Sequence, residues 1–243
     1  MNIALMGHII GGYPSQAQSI ESALGIIEGG AQYLEVQFPF SDPSADGEII
    51  EHACNLALQN GFKVQQGFEI IEALSKKAQI LIMTYANIIF RYGIEGFLKQ
   101  AKRSGAKALI IPDLPLHQDE GLRAHARKMG IFVIELITPN MSDARMKEIT
   151  QQSNCPYLYA VARLGITGSK TTIDDALERY IARIRKNSNQ KIALGFGIQT
   201  HEQIEQIKDS VDIIVAGSYF VRQIKQNPTK QALYLHTKKL LEG

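Results

Sequence analysis

Eight short apolar runs alternate along the chain with stretches of helical periodicity. The runs are Ile3–Ile10, Tyr33–Phe38, Ala78–Tyr85, Ala106–Asp113, Ile131–Thr138, Pro156–Ala162, Lys191–Gly197 and Val211–Gly217. Most are almost continuously apolar, which is typical of parallel strands covered on both faces. Strands that alternate with helices predict right-handed βαβ units, and eight units favour a closed (β/α)8 TIM barrel.

The stretches between the runs predict the helices of this barrel. They lie at roughly 16–29, 47–75, 92–104, 117–129, 142–153, 172–187, 200–208 and 218–241, and the second is long enough for two helices broken near Gly61. A doubly wound sheet is disfavoured because Gly11-Gly-Tyr-Pro14, rather than a dinucleotide-binding glycine fingerprint, follows the first strand. With no linker-like segment, the 243 residues predict a single barrel domain over residues 1–243.

Composition argues against several function classes. The net charge is only +2, and no basic stripe is interleaved with aromatic residues, so nucleic-acid binding is not expected. No run of 18 apolar residues is present, which predicts no membrane span. Cys54 and Cys155 form no CxxC, and no His/Asp/Glu cluster has metal-ligand spacing, so we expect reduced thiols in a cytoplasmic protein without a bound metal.

Acidic residues mark the second strand and the loop that leaves it. Glu35 lies between two apolar residues of the strand, and Asp42 and Asp46 follow in a turn-rich loop. A buried carboxylate is costly, and the strand interiors offer no obvious cation, so we expect Glu35 to have a raised pKa and to exchange protons. Two acids in different surroundings suit proton-transfer chemistry. Asp46 could instead cap a helix, and Asp42 could simply form a turn.

Glycine-bearing turns follow strands 6, 7 and 8. They contain Gly165 and Gly168, Gly195 and Gly197, and Gly217, with Ser218 at a possible helix cap. Glycines let backbone amides approach an anion, and a helix N-terminus favours negative charge. The three turns together predict a phosphate site, as barrels of this class often have there. Each turn taken alone is equally typical of a tight strand-to-helix connection.

Three further side chains lie on strands or at their ends. Tyr159 belongs to strand 6 and is either a core residue or part of a pocket. Arg163 ends that strand, where a guanidinium can bind a carboxylate or a phosphate. His8 lies within strand 1 and is interpreted as a core histidine whose hydrogen bonds are satisfied.

The segment Leu34-Glu-Val-Gln-Phe-Pro-Phe-Ser-Asp-Pro-Ser-Ala-Asp-Gly47 resembles the signature of the tryptophan synthase alpha chain family. The resemblance continues, in order, through Gly12–Pro14, Tyr85–Asn87, Ile111–Pro115, Arg163–Gly168, Gly195–Ile198 and Ala216–Ser218. It implies a (β/α)8 barrel that cleaves indole-3-glycerol phosphate to indole and glyceraldehyde 3-phosphate by a retro-aldol reaction in tryptophan biosynthesis. The chemistry requires no metal and no organic cofactor.

The resemblance also implies residue roles. Glu35 would be the general acid and base, and Asp46 would bind the indole N–H. The phosphate would lie among Gly168, Phe196, Gly197, Gly217 and Ser218, and the indole pocket would be lined by Met83, Ile110, Tyr159 and Thr167. Residues 163–171 would form a lid over the substrate. Family members pass indole through a tunnel to a beta chain in an alpha2beta2 heterotetramer, and Asp42, Asn87 and Arg163 would belong to the lid or face that partner.

Several positions depart from the family pattern. The family's extra helix before strand 1 is apparently lacking, which raises the question of what covers the bottom of the barrel. His8 stands where an aromatic ring usually contacts indole. Gln37 replaces a frequent glycine and could narrow the pocket or hydrogen-bond Glu35. Tyr13 and Glu48 replace a frequent aspartate and proline. The alternatives are a non-catalytic partner that activates a beta chain, which would not need both acids, and a barrel enzyme for another phosphosugar.

Overall fold

Eight parallel strands close into a barrel in the order in which they occur along the chain. The computed structural model describes residues 3–162, 173–195 and 197–243. The strands are β1 Ala4–Ile10, β2 Tyr33–Gln37, β3 Gln79–Met83, β4 Ala108–Ile110, β5 Phe132–Ile137, β6 Tyr157–Val161, β7 Lys191–Gly195 and β8 Ile213–Val215. All eight predicted strands are therefore present, each within the predicted run, and the (β/α)8 barrel is confirmed.

Helices follow each strand of the barrel. They are α1 Gln16–Glu28, α2 Glu48–Gln59, α3 Val64–Leu74, α4 Ala86–Tyr92, α5 Ile94–Ser104, α6 Leu122–Met129, α7 Asp143–Gln152, α8 Asp175–Asn187, α9 His201–Ile207, α10 Gly217–Gln226 and α11 Lys230–Glu242. The predicted break near Gly61 separates α2 from α3. Of the helices within the described ranges, none has both the length and the apolar character to cross a membrane.

Three helical predictions differ from the structure. The segment 86–92 forms α4, almost all of which lies outside the predicted helices, and Gly93, with φ +93°, turns the chain between α4 and α5. The expected helix at 218–241 is two helices, because Pro228 lies between α10 and α11 and cannot donate the backbone hydrogen bond that a continuous helix needs. Residues 117–121 are not helical, and α6 starts only at Leu122.

Alternate residues of the strands face two different apolar layers. Inside the barrel lie side chains such as Met6, Leu81 and Ile110. The residues between them in sequence, such as Leu5 and Leu109, join a larger cluster between the strands and the surrounding helices. This two-residue alternation explains the near-continuous apolar runs, because both faces of every strand are covered.

Two tyrosines lie inside the barrel at the amino-terminal ends of the strands. Tyr33 opens β2 and Tyr157 opens β6, and their hydroxyl oxygens are 2.9 Å apart. The rings meet edge to face, with centroids 5.8 Å apart. Burial, and to a smaller extent the contact with Tyr157, raises the pKa of Tyr33, so the Tyr33 hydroxyl remains protonated at neutral pH. The two rings fill the barrel interior at the amino-terminal ends of the strands. Space for a cavity is left at the carboxyl ends of the strands.

Helix α1 packs directly against α11 through a glycine. A Cβ atom added at Gly25 would collide with the backbone carbonyl oxygen of Lys230, and it would also lie 2.9 Å from the Leu233 Cβ. Backbone atoms cannot relieve this collision by rotating away, as a side chain can. Gly25 is therefore needed for the close approach of these two helices.

We expect Gly25→Ala to lower the free energy of unfolding by about 1–3 kcal/mol, since the two helices must move apart. The matched control is Gly96→Ala in α5, where the nearest atom to an added Cβ is a Tyr92 ring carbon at an ordinary 3.6 Å. There the alanine should be neutral or add about 0.5–1 kcal/mol. Urea unfolding measures both, and equal stabilities for the two variants would contradict the packing argument.

Candidate active site

A cavity opens at the carboxyl ends of the strands, inside the barrel mouth. It holds about 540 Å3 of space, part of it continuous with open solvent. Its wall consists of His8, Glu35, Ala45, Asp46, Ile50, Met83, Ile110, Pro112, Leu136, Tyr159, Gly197, Gly217 and Ser218. Eight of the thirteen lining residues were named from the sequence as site residues. The fold brings these residues, which are distant along the chain, to one cavity.

Glu35 is held by a residue of the neighbouring strand. In the parallel register of β1 and β2, His8 is the direct partner of Glu35, and both residues are only 3% exposed. The Nδ1 atom of His8 lies 2.8 Å from Oε2 of Glu35. The expectation of an acid without a nearby compensating group is therefore wrong, as is the interpretation of His8 as a residue of the core alone. Glu35 nevertheless faces the cavity, as proton-transfer chemistry requires.

Asp46 is buried by the loop after β2 and accepts two hydrogen bonds on one oxygen. The Nε2 amide of Gln37 donates to Oδ2 at 2.7 Å, and the hydroxyl of Tyr85 donates to the same atom at 3.0 Å. Burial raises the pKa of Asp46, while these bonds and the nearby His8 oppose the shift and Glu35 adds to it. The N-cap residue of α2 is Gly47, without a side-chain cap, so Asp46 does not have the alternative capping role.

Gln37 therefore contacts a different acid from the one expected. Its amide reaches Asp46 rather than Glu35, and it also lies 3.6 Å from the Sγ of Cys54. Gln37 is completely buried, and within the described residues its Oε1 atom has no hydrogen-bond partner. A buried amide with one end unpaired is costly, and here its other end is bound to the carboxylate.

Tyr85 ties the acid loop to the barrel. The backbone N–H of Ala45 donates to the Tyr85 hydroxyl at 3.0 Å, and that hydroxyl in turn donates to Asp46. Burial and the neighbouring carboxylate raise the pKa of Tyr85, so the phenol stays protonated and remains a donor. One tyrosine thus fixes both the loop backbone and the side chain that the loop presents to the cavity.

Glycines and the start of a helix form one corner of the cavity. Gly197 follows β7 with φ +93°, a conformation that favours glycine, and Gly217 is the first residue of α10. Ala216 is the N-cap residue and Ser218 the second helical residue, so Ser218 is not the cap that was expected. The first amides of a helix have no partner within it and attract anions. We call Gly197, Gly217 and Ser218 the anion corner.

Not every predicted glycine belongs to that corner. Gly195 lies beneath the ring of Tyr159, and a Cβ atom there would collide with the tyrosine hydroxyl. Its role is therefore to let Tyr159 lie flat against β7 in the cavity wall. Burial, together with Glu35 and Asp46, raises the pKa of Tyr159 well above its ordinary value.

Apolar side chains line the space between the acids and the anion corner. Met83 and Ile110 were predicted there, and Ile50, Pro112 and Leu136 were missed. Leu136 occupies the inward position two residues after Ile134 on β5, so the alternation along that strand could have identified it. Ile50 belongs to α2, and nothing in the sequence pattern of a helix indicates contact with a pocket.

The remaining predicted residues lie elsewhere. Asp42 and Asn87 are exposed at the barrel mouth, where the Ser41 hydroxyl donates to Oδ2 of Asp42 at 2.6 Å. Both are outside the set of cavity-lining residues. Arg163, Thr167, Gly168 and Phe196, and with them the predicted lid at 163–171, lie outside the described residues.

The fold and the cavity define a (β/α)8 barrel enzyme with two buried acids facing a glycine-lined corner. Its family is established by sequence: the chain belongs to the tryptophan synthase alpha chain family, whose profile matches residues 2–242. A Helicobacter hepaticus tryptophan synthase alpha chain is 52% identical, covering 96% of this chain and 91% of that one. The Methanosarcina acetivorans alpha chain is 34% identical, covering 99% and 88% of the two chains.

Solved structures agree with this assignment. A structure of Mycobacterium tuberculosis tryptophan synthase superposes with a TM-score of 0.92 at 27% identity, covering 99% of this chain and 91% of that chain. A tryptophan synthase complex from Pyrococcus furiosus gives a TM-score of 0.87 at 30% identity, covering 98% and 95%. The similarity thus extends over the whole barrel.

The hydrogen bonds to Asp46 can be ranked by experiment. Gln37→Met keeps the length of the side chain and removes the amide donor, so we expect it to raise the pKa of Asp46 further. Tyr85→Phe removes the longer bond and should raise that pKa by a smaller amount. Carboxyl-carbon NMR titration measures both variants. A pKa that is unchanged after Gln37→Met would mean that this contact does not hold the carboxylate.

Proposed function

We propose that the chain cleaves indole-3-glycerol phosphate to indole and glyceraldehyde 3-phosphate, as a carbon–carbon lyase of tryptophan biosynthesis. The observation that carries the proposal is the single cavity at the carboxyl ends of the strands, with Glu35 and Asp46 at one side and the anion corner at another. A substrate with a basic carbon, an N–H group and a phosphate needs this combination of groups. Membership of the family supports the same reaction.

Glu35 acts as the general acid and then as the general base. Its carboxyl gives a proton to indole C3, which turns the ring into a cationic indolenine that can accept electrons. The resulting carboxylate takes the proton of the hydroxyl on the carbon attached to C3. The C–C bond then breaks, its electrons restore the indole ring, and the former hydroxyl carbon becomes the aldehyde. Glu35 ends the cycle protonated again.

Asp46 stabilises the charge that develops on the ring. A carboxylate that accepts the indole N–H interacts more strongly with the cationic indolenine than with neutral indole, which lowers the barrier. Gln37 and Tyr85 donate hydrogen bonds to one oxygen of Asp46, and this arrangement supports contact of the other oxygen with the substrate. The apolar wall formed by Met83, Ile110 and Tyr159 accepts the flat indole ring.

The phosphate binds at the anion corner. Gly197, Gly217 and Ser218 line the cavity there, and α10 directs its amino-terminal end at it. The helix dipole and the unpaired first amides favour a dianion. Gly168 and Phe196, which the resemblance assigns to the phosphate, and Thr167, which it assigns to the indole, lie outside the described residues.

A beta chain receives the indole, and the complex is an alpha2beta2 heterotetramer in the cytoplasm. The Pyrococcus furiosus neighbour was solved as a tryptophan synthase complex, which supports partnership for this chain. Asp42, Asn87 and Arg163 are assigned to the lid or the partner-facing rim, and the exposure of the first two is compatible with it. The buried thiols of Cys54 and Cys155 are free, as in a reducing compartment.

The isolated chain should release indole from indole-3-glycerol phosphate, and an added beta chain should raise the rate. Glu35→Gln should lower turnover by about 10²–10⁴-fold or more while substrate binding is largely retained, because the amide neither gives nor takes the proton. Indole release and substrate affinity, measured on both proteins with and without a beta chain, test this. If the variant keeps most of its activity, the acid and base assignment is wrong.

Asp46→Asn should lower turnover by orders of magnitude without destabilising the fold at neutral pH. The pKa of Asp46 is raised above 3.8, so the wild-type protein loses stability as pH rises through this range and the carboxyl ionises. The uncharged variant has no such loss. Its unfolding free energy relative to wild type should therefore grow from about pH 4 toward neutrality, as urea unfolding measures. A near-normal turnover would refute the role of Asp46.

A further inference from the structure

In the part of the chain that the structure describes, one oxygen of Glu35 is hydrogen-bonded. His8 contacts Oε2, and within the described residues the structure gives Oε1 no hydrogen bond. Glu35 lines the cavity and is 3% exposed. A carboxyl group that is fixed at one oxygen has its plane set by that contact, and its second oxygen remains available to a reacting atom.

The contact also determines where the histidine carries its proton. Oε2 of Glu35 accepts a hydrogen bond both in the carboxylate and in the carboxyl of the proposed mechanism, whose proton lies on Oε1 toward the substrate, so Nδ1 must carry the hydrogen in either form. In the neutral imidazole, Nε2 is then an unprotonated acceptor. That nitrogen is buried, and no hydrogen-bond partner is found for it among the described residues. Because His8 is part of the cavity wall, a donor brought by the substrate is the kind of group that suits this atom.

The backbone reinforces the arrangement. His8 and Glu35 are register partners on adjacent strands, so their Cα positions are fixed by the barrel itself. A Cβ at Gly217 would lie 3.8 Å from both Cγ and Nδ1 of His8, so the start of α10 packs against the ring. The ring therefore contacts both the acid and the start of α10.

We propose that His8 is a positioning residue for the lyase reaction: through Nδ1 it orients the Glu35 carboxyl so that Oε1 meets the substrate. The proposal rests on the proposed function. No covalent bond forms or breaks at His8, and the transferred proton moves only between substrate and Glu35. The hydrogen bond favours the carboxylate that takes the hydroxyl proton, and an aromatic ring at position 8 would not supply it.

Three variants separate the two ring nitrogens. His8→Phe keeps a ring and removes both, His8→Asn keeps a donor at the place of Nδ1, and His8→Gln keeps one at the place of Nε2. We expect His8→Phe to lower kcat about 10- to 100-fold with KM changed less than about twofold, the loss expected for a hydrogen bond to a charged group. His8→Asn should recover most of kcat and His8→Gln should not. A merely structural role would not follow this order.

Steady-state indole release by the full chain, with and without a beta chain, gives these values. Wild-type kcat in His8→Phe, or equal losses in His8→Asn and His8→Gln, would overturn the positioning role and leave the lyase function standing. Absence of indole release by the wild-type protein under both conditions would instead refute the proposed function.

A second measurement does not require the variants to be active enzymes. Two-bond 1H–15N correlation spectra of the wild-type protein at mildly alkaline pH report which ring nitrogen of His8 carries the proton. We expect the Nδ1–H form, with the signal assigned by its absence in His8→Phe or His8→Asn. A His8 signal of the Nε2–H form would show that the ring does not donate to Glu35, and would overturn the proposal even if lyase activity is normal.

Discussion

The candidate site depends on hydrogen bonds that hold each buried carboxylate from one side. Glu35 and Asp46 both lie in a largely apolar cavity, where an unsupported carboxylate is strongly disfavoured. Among the described residues, hydrogen bonds reach one oxygen of each acid, from His8 to Glu35 and from Gln37 and Tyr85 to Asp46. The supporting groups therefore stabilise the acids without using up the oxygens that face the cavity. Strand register in the barrel makes the first of these contacts possible, because it fixes His8 beside Glu35.

Much of the fold could be predicted because strands covered on both faces have a simple pattern. The two apolar layers inside and outside the barrel explain why all eight strands were found, with ends displaced by a few residues. Helix boundaries were less predictable where apolar periodicity continues across a break. Pro228 indicates a break between α10 and α11, but the apolar periodicity continues across it and favours a single helix. The short helix α4 has seven residues, too few for a clear helical period.

The candidate site was predictable where a residue's type and its place at a strand end were sufficient. Glu35 is an acid inside an apolar strand, and the glycines after β7 and β8 follow strand ends directly. The contacts were not predictable, because they depend on which strands are neighbours and in which register. His8 appeared to be a core histidine until β1 and β2 were paired. Gln37 lies two residues from Glu35 on the same strand, yet it reaches across to the loop and binds Asp46.

The two acids are supported in ways that suit different roles. His8 stands on a strand whose position the barrel fixes. An imidazole changes its hydrogen bonding with little movement. This property suits Glu35, which gains and loses a proton in each cycle of the proposed mechanism. The donors to Asp46 are a neutral amide and a phenol whose own pKa is raised, so neither can take the proton from that acid or give it one at neutral pH. They act only as donors and favour the ionised form against the cost of burial. In the proposed mechanism, these chemically different partners direct proton transfer to Glu35 and leave Asp46 to interact through its charge.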